Sequence, residues 1–283
     1  MKIVECPRDA MQGLEVLIPT VEKVRYLNQL LKVGFDTIDF GSFVSPKVIP
    51  QMRDTAEVLN QIDSSASSSK LLAIVANTRG AFEACAYEPI SYLGFPLSVS
   101  ETFQQRNTNK SIGEALNVVE EIKAACVKSK KKFVVYISMG FGNPYEDPYD
   151  VDLVLGLVDV LNTLGADVIS ISDTIGSATP EEITFLFTSV LEQFPTLAIG
   201  AHLHSAPDSA LKKIEAAYHS GCKRFDGAIR GFGGCPMAND ALVGNLATES
   251  ILDFLVQHGV NPGIDQNELS HAIAIADEIF PKH

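Results

Sequence analysis

Two spacings of apolar residues alternate along this 283-residue chain. Short β-rich apolar runs stand at 2–5, 37–40, 71–75, 92–99, 133–138, 168–172, 197–204 and 224–228. Between them apolar side chains recur at helical intervals, as at Val21, Val24, Leu27, Leu30 and Leu31, a stretch that Gly34 closes as a C-terminal cap. Start signals mark further helices. "SIGE" at 111–114 reads as a capping box. "TPEE" at 179–182 supplies an N-cap, a proline in the first turn and an acid at the third position. Eight strand candidates alternating with helices predict an α/β fold, a closed (β/α)8 TIM barrel. The run at 92–99 is the weakest of the eight, because Gly94 and Pro96 interrupt it. No repeat, low-complexity tract or long linker divides the chain. Residues 1–283 are therefore expected to form one barrel domain, with the last helices (about 246–283) packing on it.

In such a barrel, chemistry gathers where the strands end at their C-terminal side. Arg8, Asp9 and Gln12 follow the first run, Asp39 and Ser42 lie at the end of the second, and Asn77 follows the third. Glu101 and Thr102 follow the fourth, Ser138 ends the fifth, and Asp173 and Thr174 follow the sixth. His202 and His204 end the seventh, and "GFGGCPMANDALVGN" after the eighth brings Cys235 and Asn245. Side chains two apart on a strand share a face, so the two imidazoles project together. They either share a metal ion or are simply two polar side chains where a strand reaches water. Barrel closure sets the first strand beside the eighth, so Asp9 can lie near His202, His204 and Asn245. A carboxylate, two imidazoles and an amide oxygen form a mixed O/N set suited to Mg²⁺, Mn²⁺, Co²⁺ or Zn²⁺, with positions left for water and substrate. Taken alone, Asp9 reads more simply as a helix cap or a loop salt bridge.

A formal net charge of −13 argues against a nucleic-acid or anionic-membrane partner, which would need clustered Lys and Arg. The basic run at 128–132, broken by Ser129, ends a predicted helix and suits the negative end of its dipole. The five cysteines are odd in number and scattered, with no C-x-x-C, as expected for reduced thiols. The opening residues lack the apolar stretch of a signal peptide, and no apolar run approaches 18 residues. A cytoplasmic location is the expectation.

Several segments then carry a resemblance. "VECPRDAMQ", "SFVSPKVIPQM", "SETFQQRN", "SDTIGSATP", "GFGGCP" and "GNLATE" resemble, in order and spacing, the 3-hydroxy-3-methylglutaryl-CoA lyases of the DRE-TIM metallolyase superfamily, from about residue 3 to 249. The resemblance implies a divalent cation, Mg²⁺ or Mn²⁺ first, held by Asp9, His202, His204 and Asn245. It implies that Arg8 steadies a developing enolate and that Cys235 rides a mobile loop over the substrate. The reaction implied is retro-Claisen cleavage of a 3-hydroxyacyl-CoA to acetyl-CoA and a ketoacid, acetoacetate for the usual substrate of leucine degradation. That chemistry needs a base for the C3 hydroxyl, His202 first and Asp173 second, and an acid for the enolate carbon, the Cys235 thiol. Asp39 is expected beside Arg8, and Gln12, Ser42, Asn77, Ser138 and Thr174 are expected to contact the acyl-CoA substrate. A homodimer or higher homo-oligomer is expected.

The chain departs from the family at several points. Asp39 stands where glutamate is usual; "RDAMQGLE" replaces "RDGLQNE" and lacks the nearby lysine; "SAPDSA" follows the histidine pair; and Arg230 replaces a small residue. The ligand set is complete and its surroundings are altered, which points to an active lyase with a shifted or extended acyl substrate. Two alternatives are an aldolase or condensing enzyme of the same superfamily, acting on a 2-oxo acid or another 3-hydroxyacyl-CoA, and a binding paralogue of low activity. The "GGCP" loop weighs against the first, and the complete ligand set against the second.

Overall fold

The computed structural model describes residues 1–234 and 243–281. Its strands are β1 (Lys2–Glu5), β2 (Thr37–Ser42), β3 (Lys70–Ile74), β4 (Ile90–Ser98), β5 (Lys132–Ser138), β6 (Val168–Asp173), β7 (Ile199–Leu203) and β8 (Arg224–Gly227). The helices are α1 (Pro7–Gln12), α2 (Thr20–Val33), α3 (Thr55–Gln61), α4 (Thr78–Cys85), α5 (Glu101–Thr108) and α6 (Ile112–Lys128). They continue as α7 (Val151–Thr163), α8 (Pro180–Gln193), α9 (Pro207–His219), α10 (Thr248–Gln257) and α11 (Gln266–Ile279). Each strand pairs in parallel with the next in the chain. β8 then pairs with β1 through Val4↔Asp226 and Glu5↔Gly227, and the barrel is closed.

The local signals act where they were read. Ser111 and Glu114 form a reciprocal capping box, as do Thr179 and Glu182. Gly34 ends α2 at φ +96°, in the left-handed region that glycine tolerates. Two readings need correction. The run at 197–204 is longer than the strand it contains: the Leu197 amide closes a turn onto the Phe194 carbonyl, and His204 bridges to Asn245 beyond the end of β7. The basic run does more than face a helix dipole. Lys131 Nζ donates to the carbonyls of Tyr87 and Ile90 at 2.8 and 2.6 Å, tying the start of β5 to the approach to β4.

Strand alternation splits the apolar residues into two cores. Leu71, Ala73, Leu93 and Phe95 face outward into a large cluster with the helices. Leu72, Ile74, Tyr92, Val134, Tyr136 and Val168 pack inside the barrel. This inner core explains the interrupted fourth run. A Cβ at Gly94 would lie 2.6 Å from Ile74 Cδ1 and 3.1 Å from Tyr136 Cε2, so the glycine makes room for the tyrosine ring. At the far end of the chain, α11 lies against α2, where Gln29 Nε2 donates to the Glu268 carbonyl and carboxylate. Cys6, Cys126 and Cys222 are buried free thiols and Cys85 is half-buried. Among the described residues no helix is long and apolar enough to cross a membrane.

The Gly94 contacts make a stability prediction. Gly94→Ala should lower unfolding free energy by about 1–3 kcal/mol through overpacking, read by urea denaturation; an unchanged midpoint would show that the inner core has slack.

Candidate functional site

Where the strands end, a cavity of about 150 Å³ opens. Arg8, Asp9, Gln12, Ser138, Thr174, His202 and His204 line one part of it. Val44, Val48, Ile49, Ile74, Pro96 and Phe103 form an apolar wall.

Arg8, Asp9 and Gln12 arrive on α1, which starts with Pro7 directly after β1. The Arg8 guanidinium is held on both sides. Nε and Nη2 fork onto Asp39, Nη2 reaching Oδ2 at 2.5 Å. Nη1 donates to Asp9 Oδ1 and Gln12 Oε1, each at 2.8 Å. The one-methylene-shorter acid at 39 thus still meets the arginine. Burial pushes the Asp39 carboxyl up to about 6 against the pull of Arg8, so it is ionised at neutral pH. Burial acts on Asp9 in the same direction, but Arg8, His202 and His204 outweigh it and hold that carboxyl below its ordinary value.

His202 and His204 stand with ring centroids 5.3 Å apart. His202 Nδ1 lies 3.2 Å from Asp226 Oδ2, and His204 Nδ1 lies 3.0 Å from the Thr174 carbonyl. Both partners are acceptors, which assigns the proton to Nδ1 and leaves the lone pair on Nε2. Burial, with the neighbouring imidazole, lowers His204 to about 4, so its ring is neutral at pH 7. For His202 burial works downward too, but the Asp226 hydrogen bond and charge prevail and raise it.

The residues fit a divalent cation. Asp9, His202 and His204 each offer a ligand atom within 4.8 Å of the others. His204 Nε2 is fully buried with no hydrogen-bond partner among the described residues, an arrangement that costs free energy unless something ligates it. Asn245 Nδ2 donates to Asp9 Oδ2 at 2.7 Å and to the Phe232 carbonyl at 2.9 Å, which leaves its oxygen for a cation. Asp226 behind His202 and the Thr174 carbonyl behind His204 hold the two rings as outer-sphere partners hold imidazoles that ligate a metal.

Three predicted contacts are not brought to the cavity. Asp173 ends β6 on the face opposite Ser172, which does line it. The Asp173 carboxylate is instead buried against Lys213 Nζ at 2.6 Å and the amides of Ser177 and Ala178. A carboxylate so engaged does not face the cavity. Asn77 caps α4, accepting from the Gly80 amide at 2.9 Å. Ser42 pairs with the inward-facing Ile74 after the register shift between Asp39 and Gly41, but its Oγ accepts from the Val44 amide and it does not line the cavity. Cys235 lies outside the described residues.

Other residues escaped the strand-end reading. Asp226 sits below His202 inside β8, and Tyr136 meets the same ring edge-on at 5.5 Å. Alternation and pairing would have found both, because Tyr136 lies two positions below Ser138 and Asp226 pairs with His202 across β7 and β8. Phe103, Asn107 and Thr108 line the cavity from α5, and a helix contributes no strand-end signal.

These features coincide with a sequence match to the HMGL-like family over residues 2–275. The chain belongs to the HMGL-like family. Among its relatives, the hydroxymethylglutaryl-CoA lyase YngG of Bacillus subtilis is 34% identical over 98% of this chain and 91% of its own length. The cytoplasmic 3-hydroxy-3-methylglutaryl-CoA lyase of Rattus norvegicus is 33% identical over 96% of this chain and 79% of its own. A solved HMG-CoA lyase of Acinetobacter baumannii, in complex with coenzyme A and 3-methylmalate, is similar at a TM-score of 0.91 and 30% identity, covering 99% of this chain and 90% of that one. Membership in the HMGL-like family and the closed barrel agree.

The burial of Asp173 against Lys213 is open to measurement. Lys213→Met should strip the buried carboxylate of its cation and cost about 3–5 kcal/mol of stability, seen as an earlier urea midpoint; a midpoint within error of wild type would return Asp173 to the catalytic candidates.

Proposed function

We propose that this HMGL-like protein is a divalent-cation-dependent carbon–carbon lyase that cleaves 3-hydroxy-3-methylglutaryl-CoA to acetyl-CoA and acetoacetate. One observation carries the reading: a carboxylate and two imidazoles converge beside a clamped guanidinium at the mouth of the barrel. The lyase names of its relatives, and the coenzyme A bound to the A. baumannii protein, support an acyl-CoA substrate.

In this proposal Asp9, His202, His204 and the Asn245 oxygen hold the cation. A divalent cation at such a site lowers the pKa of a ligating alcohol and offsets charge on its oxygen. Asp226 and the Thr174 carbonyl fix the two imidazoles with Nε2 toward the site. With Nδ1 on Asp226, Nε2 of His202 is the atom that would either ligate the cation or take the C3-hydroxyl proton, and the base role stays with His202 in this proposal. Arg8, immobilised by Asp39 and Asp9, stabilises the enolate oxygen, whose charge grows only as the C2–C3 bond breaks. Gln12 steadies Arg8 and Asp9, while Ser138 and Thr174 contact the acyl group. Cys235 enters on sequence alone, as the acid that protonates the enolate carbon. A cytoplasmic location, a place in leucine degradation and a homo-oligomeric state are proposed on the same footing.

Acetyl-CoA release from 3-hydroxy-3-methylglutaryl-CoA, with and without Mg²⁺ or Mn²⁺, is the test. Turnover should require the cation and stop with a chelator. Arg8→Lys, which cannot fork onto both carboxylates, should lower kcat by about 10²–10³. His204→Ala should weaken Mn²⁺ binding by at least about tenfold in calorimetry. No acetyl-CoA release with either cation would sink the assignment.

A further inference from the structure

α5 forms one side of the cavity through Phe103, Asn107 and Thr108. It has only eight residues, too few for an isolated helix to hold its own place. The grip on its first turn comes from the far side of β5, in the segment that joins β5 to α7. There the Asp147 carboxylate accepts from Ser100 Oγ at 2.5 Å, from Thr102 Oγ1 at 2.9 Å and from the Thr102 amide at 2.9 Å. Asp147 thereby caps a helix to which it does not belong, in addition to the native cap in which Ser100 Oγ accepts from the Phe103 amide.

The segment presenting Asp147 is itself fixed. Asn143 Oδ1 accepts the amides of Tyr145 and Asp147 at 3.0 and 3.1 Å, and its Nδ2 donates to the Asp147 carbonyl at 3.1 Å. Glu146 is held at φ +60°, a conformation a non-glycine residue keeps only where its surroundings enforce it. Apolar contact runs beside the polar one. The Tyr145 ring stacks on Phe103 with centroids 6.4 Å apart, and the Arg106 guanidinium lies 4.6 Å from the centre of that tyrosine ring. Phe103, on which Tyr145 stacks, is buried and lines the cavity together with Val48, Ile49 and Ile74. Asp147 does not line the cavity itself.

We infer that Asp147 is a positioning residue that locks α5 as a fixed wall of the acyl pocket, setting KM and the size of the C3 substituent accepted rather than the rate of bond cleavage. The identity of the substrate rests on the lyase reading; the latch does not. The substrate class that follows is a 3-hydroxyacyl-CoA whose C3 substituent packs against Phe103 while its oxygens face the polar side of the cavity.

The test uses the full chain as wild type, Asp147→Ala, Asp147→Asn and Phe103→Ala. Two readouts are taken: hydrogen exchange of the amides at 101–108, and kcat and KM for the methyl thioester and its C3-ethyl homologue. Asp147→Ala should speed exchange across α5 by about tenfold or more while leaving the barrel strands protected. The same variant should raise KM by about tenfold, keep kcat within about threefold and weaken the preference for methyl over ethyl. Asp147→Asn, whose amide oxygen still accepts the Thr102 amide, should fall between. Phe103→Ala, which keeps every Asp147 contact, should relax the preference while speeding exchange in α5 less than Asp147→Ala does. Unchanged exchange in Asp147→Ala overturns the latch, whatever the kinetics. Faster exchange with KM and preference at wild-type values overturns the wall. A kcat loss at constant KM, tracking a lower melting temperature, reduces Asp147 to a general stability role and overturns the proposal as well. If wild type releases no acetyl-CoA, the lyase reading fails by itself, and the exchange result still decides the latch.

Discussion

The ladder between β1 and β8 joins Lys2–Glu5 to Arg224–Gly227, and it is the constraint on which the site depends. Until it forms, Asp9 and the two imidazoles are separated by about two-thirds of the chain. Once it forms, α1 is delivered beside the ends of β7 and β8, and three ligand atoms converge without any local sequence signal between them. A second fastening reinforces it: Glu5 accepts from the Ile229 amide at 2.9 Å and from Thr248 Oγ1 at 2.6 Å. Strand pairing and this buried carboxyl group therefore hold the same seam. Closing such a long loop costs conformational entropy that only the completed barrel repays.

The charge balance inside that seam favours a cation. Asp9, Asp39 and Asp226 are buried there with the guanidiniums of Arg8 and Arg224. Asp173 is matched separately by Lys213. With Glu5 pushed by burial to about 8 and so neutral at pH 7, three aspartates against two guanidiniums leave one negative charge uncompensated while the imidazoles are neutral. A proton on His202 or a divalent ion can supply the balance, and both would use the same Nε2. In the proposed reading a proton and a cation would compete for that one nitrogen, and Asp226 would stabilise positive charge whichever of the two is bound.

The fold was legible because it rests on local rules: capping boxes at Ser111 and Thr179, a glycine stop at Gly34, and eight apolar runs of strand length. The site was legible only along the strand ends. Arg8, Asp9, His202 and His204 were found because each follows or ends a strand. The same rule ignores which face a residue occupies: Asp173 lies away from the cavity, and one residue earlier Ser172 lines it. Ser42 does not line the cavity because its hydroxyl is taken by the Val44 amide, a local contact that leaves no mark in an apolar pattern. Asp226 and Phe103 were missed for different reasons: one lies a layer below the mouth, the other on a helix whose placement depends on a distant carboxylate.

The departures from the family pattern acquire physical meaning in the same terms. Asp39 is shorter than glutamate, yet the Arg8 fork closes on it, so the arginine rather than the acid absorbs the difference. Ala10 replaces a usual glycine where the segment after β8 packs most closely: a Cβ on Gly233 would lie 2.8 Å from Ala10 Cα and 2.8 Å from the Asp9 carbonyl. Arg230 adopts φ +61° and pairs with Asp277 on α11 at 2.7 Å, so the path into that segment is anchored to the C-terminal helix. Each change thus falls on an element that supports a ligand or a wall, and none removes a ligand. Variation of that kind alters how substrate is framed before it alters the chemistry, because the reacting atoms meet side chains whose own supports have been replaced rather than lost.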